Sequence, residues 1–250
     1  MTNKYMYFVA NWKMYGNTKS VKTLKNVIKF SKFSKNRKLK IIYCPPNTLL
    51  NDFSKVFKNS KISLGAQNCF QEDGYGPYTG SISSKMLKDI GAKYVLIGHS
   101  ENRKLGETDI LINKKIKTAI NNNLKIILCI GESKSERRRK KTHHVLRRQI
   151  VNSLKDIKKL NNIFFAYEPI WSIGTGNILN INNLEKDIIL IKDFIKKRYK
   201  SSSQIVLYGG SVNPKNINEI KKIKILNGFL IGGASQNSKK FIDIIKKSYI

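Results

Sequence analysis

Acidic residues are scarce in this chain. Only 16 Asp and Glu stand against 48 Lys and Arg in 250 residues, a formal net charge of +32. A field of that sign favours an anionic partner: nucleic acid, an acidic membrane surface or a small anionic substrate. The lysines do not gather in a tail but recur along the polar faces of helix-like segments, as at Lys192, Lys196, Lys197 and Lys200. Asn and Ile are abundant too, and adenine/thymine-rich codons encode all three. The charge therefore reads mainly as compositional drift, with non-specific polyanion binding as a side effect and no specific nucleic-acid partner. A sequence-selective complex that survives physiological salt would overturn that hypothesis.

Cysteine is also sparse. Cys44, Cys69 and Cys129 are an odd number, widely spaced and without a C-x-x-C pair, which argues against a disulfide framework or a zinc site and for a reduced compartment. Long apolar runs are missing. The longest, such as 6–10 and 126–130, suit buried strands and fall far short of a bilayer span, so no membrane association is expected. The start of the chain reads as a first strand rather than a secretory leader, and a cytoplasmic location is expected. No linker or low-complexity stretch divides the chain, so residues 1–250 are expected to form one domain.

What recurs is an apolar, often β-branched run followed by a longer amphipathic stretch. The runs are 5–10, 39–43, 62–66, 94–97, 125–130, 163–167, 205–208 and 228–231. Between them lie helical spacings such as Ile188, Ile191, Phe194 and Ile195, with candidate caps at Asn47-Thr48, Ser83-Ser84, Asn182-Asn183 and Asn213-Pro214. Strands apolar on both faces and alternating with helices predict a parallel sheet. Roughly eight such units in a chain of this size predict a closed α/β barrel, (β/α)8. An open doubly wound sheet is the runner-up, but it usually carries a Gly-rich turn after its first strand. Here that strand ends in Asn11-Trp12-Lys13.

In such barrels the reactive groups follow the C-terminal ends of the strands. The residues at those places are Asn11-Trp12-Lys13, Gly98-His99-Ser100-Glu101, Cys129-Ile130-Gly131-Glu132, the run from Glu168 to Gly176, Gly209-Gly210-Ser211 and Gly232-Gly233. Glu168 is the best candidate for a general base, because Pro169 restricts its backbone and opens a distinctive aromatic and Gly-rich loop. An isolated loop glutamate would be an exposed carboxylate, and an isolated His99 or Lys13 a packed histidine or a solvated cation. His143 and His144 sit among Arg and Lys and are expected to face solvent.

The segments Ala-Asn-Trp-Lys-Met, Gly-His-Ser-Glu, Tyr-Glu-Pro-Ile-Trp-x-Ile-Gly-Thr-Gly, Tyr-Gly-Gly-Ser and Gly-Gly-Ala-Ser, in that order from the first strand to the last helix, resemble the triosephosphate isomerase family. The resemblance implies a TIM barrel that interconverts glyceraldehyde 3-phosphate and dihydroxyacetone phosphate, a step shared by glycolysis and gluconeogenesis, without cofactor or metal. It implies that Glu168 shuttles a proton through an enediolate. His99 and Lys13 would stabilise the developing oxyanion, with Asn11 lining the same pocket. A neutral histidine beside a helix N-terminus is a known trait of that family, and Ser100-Glu101-Asn102 offers such a turn here. Glu101 matches the acidic residue beside the lysine, either aiding proton traffic or forming a simple ion pair. Gly174, Ser211, Gly232 and Gly233 are implied to hold the phosphate, together with Asn11 and Lys13, and Cys129 and Glu132 to support the site. Residues 169–176 are implied to form a lid that excludes water, again a known trait of the family.

Some positions depart from the family pattern. Ser172 replaces an alanine and Asn177 a lysine in and beside the lid, changes expected to tune lid kinetics. Asn102 replaces the first of two arginines, Ser81 replaces an acidic residue, and the segment before Gly106-Glu107-Thr108 is one residue short. In the family that acid and arginine pair between subunits. Losing both avoids an unpaired buried charge, so a homodimer built on the loop around 67–80 is still expected. Two other readings stand beside this one: an aldolase-like barrel with Lys13 as Schiff-base nucleophile, and a polyanion-binding protein that keeps the barrel as scaffold.

Overall fold

The computed structural model describes residues 5–32, 38–176, 179–201 and 203–249. Eight parallel strands close on themselves in sequence order: β1 (Met6–Asn11), β2 (Leu39–Cys44), β3 (Ser63–Ala66), β4 (Tyr94–Ile97), β5 (Lys125–Ile130), β6 (Ile163–Tyr167), β7 (Val206–Tyr208) and β8 (Gly228–Ile231). β1 pairs with both β2 and β8, which completes the ring. Every strand lies within a residue of the expected run, because a strand buried on both faces is apolar throughout and stands out from amphipathic neighbours.

The helices pack outside the ring. They are α1 (Lys25–Ser31), α2 (Leu50–Phe57), α3 (Ser84–Asp89), α4 (Ser100–Lys104), α5 (Asp109–Asn121), α6 (Lys134–Arg138), α7 (Thr142–Ser153), α8 (Ile181–Tyr199), α9 (Ile217–Ile220) and α10 (Ser238–Tyr249). Alternation along the strands splits the core in two. Val9, Ile42, Leu96, Ile127, Phe164, Leu207 and Leu230 fill the barrel interior. Phe8, Ile41, Val95, Ile126, Leu128 and Phe165 face the helices instead. Helix α8 shows how the outer layer is held: Leu184, Ile188, Ile191 and Ile195 recur at helical spacing and are fully buried. Each such side chain contributes about 1.5–3 kcal/mol of apolar burial.

Helix starts follow the expected caps only in part. Ser83 caps α3 by accepting the Met86 N–H. Helix α8 is capped by Asn180, whose side chain accepts the Asn182 N–H at 3.0 Å, and not by the Asn182-Asn183 pair. The sequence offered three asparagines in four positions, and the one that keeps an extended backbone serves as cap. Asn47-Thr48 opens a short 3-10 turn without a side-chain cap. Asn213 accepts the N–H groups of Lys215 and Asn216, and α9 begins later, at Ile217.

Candidate active site

At the C-terminal mouth of the barrel lies a cavity of about 370 Å³. Asn11, Lys13, His99, Glu168, Gly174, Ser211, Gly232 and Gly233 all line it. The fold thus brings together every site residue expected from sequence except Glu101, which is not part of the wall. Glu101 stands behind Lys13, its Oε1 2.6 Å from the Lys13 Nζ. Burial alone would raise the Glu101 carboxyl, but the Lys13 hydrogen bond and nearby positive charge outweigh it and hold the group below its ordinary range.

Lys13 reaches the cavity from an unusual backbone, with φ at 54°. A non-glycine residue in the left-handed region costs about 1 kcal/mol or more and persists only where its surroundings fix it. Two hydrogen bonds do so. The Lys13 N–H donates to Asn11 Oδ1 at 3.0 Å, and the Gln67 side chain donates to the Lys13 carbonyl at 2.8 Å. Gln67 also donates to the Cys44 carbonyl at 2.9 Å, so it ties the ends of β1 and β2 to the loop after β3.

His99 is the N-cap of α4, and its Nδ1 accepts the Glu101 N–H at 3.3 Å. That hydrogen bond assigns the ring proton to Nε2. Nε2 lies 3.6 Å from Glu168 Oε1. Both side chains are almost fully buried, and among the described residues Glu168 Oε2 has no hydrogen-bond partner. An unpaired buried carboxylate oxygen is costly, and here it belongs to a side chain that lines the cavity. Gly106, at φ 100°, lets the chain turn directly off α4, and the Glu107 N–H donates back to the Asn102 carbonyl. Arg103 turns inward to pair with Asp109 at 2.6 Å and to donate to the Gly98 carbonyl.

The glutamate is fitted closely. A Cβ at Gly209 would lie 2.5 Å from Glu168 Cγ, so that glycine makes the space in which the carboxylate sits. Cys129 packs beneath it; burial first, then the Glu168 charge, pushes its thiol well above the usual range and keeps it neutral.

Residues 170–172 form a 3-10 turn laid against the end of β7. The Gly176 N–H donates to Ser211 Oγ at 3.2 Å, and the Trp171 indole donates to Glu132 Oε1 at 3.3 Å. Glu132 is fully buried, accepts hydrogen bonds from Tyr167, and faces Arg137, which also pairs with Asp187. Asn177 lies outside the described residues. His143 and His144 are exposed, as expected. The strand-end rule puts Gly209 at the mouth without giving it a role and passes over Gln67; the roles of both depend on contacts across the barrel mouth. Among the described residues no group of three His, Cys, Asp or Glu is placed to hold a metal ion, and no helix is long and apolar enough to cross a membrane.

The sequence model of the triosephosphate isomerase family matches residues 6–248. The triosephosphate isomerase of Dictyoglomus thermophilum is 43% identical over 95% of this chain and 97% of its own length. That of Thermodesulfovibrio yellowstonii is 40% identical over 96% and 98%. The crystal structure of triosephosphate isomerase from Bartonella henselae superposes with a TM-score of 0.88 at 35% identity, over 97% of this chain and 98% of that one. With a family match along nearly its whole length and relatives this similar at both ends, the chain belongs to the triosephosphate isomerase family and is an isomerase of glycolysis.

Proposed function

We propose that the pocket interconverts D-glyceraldehyde 3-phosphate and dihydroxyacetone phosphate by moving a proton between adjacent carbons through an enediolate. The observation that carries this reading is the approach of Glu168 Oε1 to His99 Nε2 at 3.6 Å, on two nearly buried side chains that both line one small cavity. Glu168 takes the proton from one carbon and returns it to the next. His99, neutral as in the family at large, donates from Nε2 to the oxygen on which charge develops, and the Lys13 ammonium adds positive potential at the same oxygen. Asn11 fixes Lys13 and lines the wall. Glu101 acts through Lys13 by holding its ammonium. A lysine engaged in that way is poorly suited to Schiff-base chemistry.

The phosphate is read at the opposite end, on backbone N–H groups of Gly174, Ser211, Gly232 and Gly233, which supply donors without bulk. The lid at 169–176 covers it and keeps water from the enediolate. The reaction needs no metal or organic cofactor.

The reading includes a homodimer through the loop around 67–80. Met14 is 94% exposed and Tyr75 71%, with Tyr15, Tyr78 and Met86 also open. An apolar cluster of this kind around the site loops suits burial against a second copy. A cytoplasmic location, and use in both glycolytic and gluconeogenic directions, complete it.

The test is triose-phosphate interconversion by the purified protein beside Glu168→Gln, across protein concentration. Activity that falls by about 100-fold or more in the variant, and on dilution in the parent, supports base and dimer together. A folded parent without activity overturns the assignment, and borohydride trapping of substrate on Lys13 would redirect it to aldolase chemistry.

A further inference from the structure

Arginine is unevenly placed in this chain. Of eight arginines, five fall within the twelve residues 137–148, together with two of the three histidines. Elsewhere the solvent-facing cations are almost all lysines. Compositional drift supplies lysine over the whole surface, but it gives no reason for guanidinium groups to gather in one place.

One of the five is explained by the fold, since Arg137 turns inward to Glu132 and Asp187. The other four, Arg138, Arg139, Arg147 and Arg148, are exposed, and among the described residues none of them pairs with a carboxylate. The only acid in 134–148 is Glu136, whose carboxylate is taken by the Ser133 cap at 2.8 Å. On α7 the buried positions are Thr142, Val145, Leu146, Gln149, Ile150 and Ser153, so His144, Arg147 and Arg148 share its outer face. The exposed turn at 139–141 continues that face onto the end of α6. Arg147 lies over the Phe194 ring at 5.5 Å, which steadies it without neutralising it. Like charges packed this way repel one another, and among the described residues no carboxylate pairs with these four to offset the cost.

We propose that this ridge binds the phosphodiester backbone of a single-stranded nucleic acid, without regard to base sequence. Guanidinium forks match phosphate oxygens in pairs, which ammonium groups do not. The arginines sit on two helices separated by a turn at Lys140, φ 57°, and not along one straight helix, an arrangement that a flexible strand follows more readily than a stiff duplex. No large apolar side chain is exposed between 134 and 148 among the described residues, so the ridge lacks the wedge by which interfacial helices enter a bilayer. It follows β5, across the ring from β1, and contributes nothing to the catalytic cavity. Isomerisation and strand binding are therefore separable.

The experiment measures anisotropy of labelled oligouridine, oligothymidine, a DNA duplex and phosphatidylserine vesicles against the full chain, from low salt to about 0.15 M. A variant carrying Arg138→Gln, Arg139→Gln, Arg147→Gln and Arg148→Gln is compared with one carrying Lys22→Gln, Lys25→Gln, Lys29→Gln and Lys240→Gln, which removes four exposed charges elsewhere on the barrel. Retained isomerase activity certifies that both are folded. The arginine variant should bind the single strands at least about tenfold more weakly, with its log–log salt slope lower by about 3, as expected for four lost phosphate contacts. The lysine variant should stay close to the parent, and a third variant with all four arginines changed to lysine should keep the slope but lose affinity. Equal losses in the two glutamine variants, or tighter binding to duplex or vesicle than to a single strand, would overturn the proposal. Oligouridine against oligothymidine tells which strand chemistry is preferred.

Discussion

The fully buried hydroxyl of Ser172 lies 3.3 Å from the Tyr208 hydroxyl and accepts the Ser211 N–H at 3.4 Å. One lid atom thus meets both the end of β7 and the loop beyond it. An alanine at this position would offer neither contact.

Ser172→Ala should therefore loosen the lid. A hydrogen bond of this kind contributes about 1 kcal/mol net, so kcat/KM should fall about fivefold, mainly through KM, while Trp171 fluorescence reports faster lid relaxation after a temperature jump. Unchanged steady-state and relaxation kinetics would reduce the hydroxyl to a space filler.

Gly209→Ala should act on chemistry and not on folding. The new methyl would lie 2.5 Å from Glu168 Cγ and 2.9 Å from its Oε1, so the carboxylate has to move. A displacement near 1 Å costs about 100-fold in rate. The check is kcat beside far-ultraviolet circular dichroism; a normal kcat would mean that Glu168 has room the packing does not reveal.

Glu132 sets a pH dependence of stability. Burial lifts its carboxyl above the ordinary carboxylate range, against the opposing pull of Trp171 and Arg137. A group with a higher pKa folded than unfolded holds its proton better when folded. Its contribution is full below the unfolded value and is lost as pH rises through the folded one. In Glu132→Gln that decline disappears, so unfolding free energy measured in urea should vary less from about pH 4 upward than in the parent. Identical profiles would show that the carboxylate remains ionised throughout.

Association should depend on the exposed apolar cluster. Met14→Lys with Tyr75→Lys removes two side chains of about 1.5–3 kcal/mol each from the shared surface, enough to weaken the dimer by at least about 100-fold. Sedimentation of parent and variant decides the matter. A parent that sediments as a fully active monomer would end the dimer reading.

Much of this was legible in the sequence for a definite reason. Strands buried on both faces are continuous apolar runs, and in a closed barrel the polar residue after each run is delivered to one mouth. That rule placed Asn11, Lys13, His99 and Glu168 at the mouth before any distance was known, and the resemblance to the family implied their roles. Other contributors could not. Gly209 reads as one more turn glycine until Glu168 is seen pressed against it. Gln67 is an ordinary polar residue until its side chain is found on two carbonyls from different strands. The choice of Asn180 over its neighbours as cap rests on one backbone angle. The roles of Gly209 and Gln67 depend on partners far away in the chain, and local pattern carries no record of such pairs.

Gln67 has one further consequence. It opens the loop that would meet a second protomer, and the same amide props the left-handed backbone of Lys13 through the hydrogen bond to its carbonyl. Heredity cannot adjust the two tasks separately. A substitution at Gln67 that reshapes the loop is at once a substitution in the support of Lys13. The loop's freedom to vary is narrower than its exposure suggests.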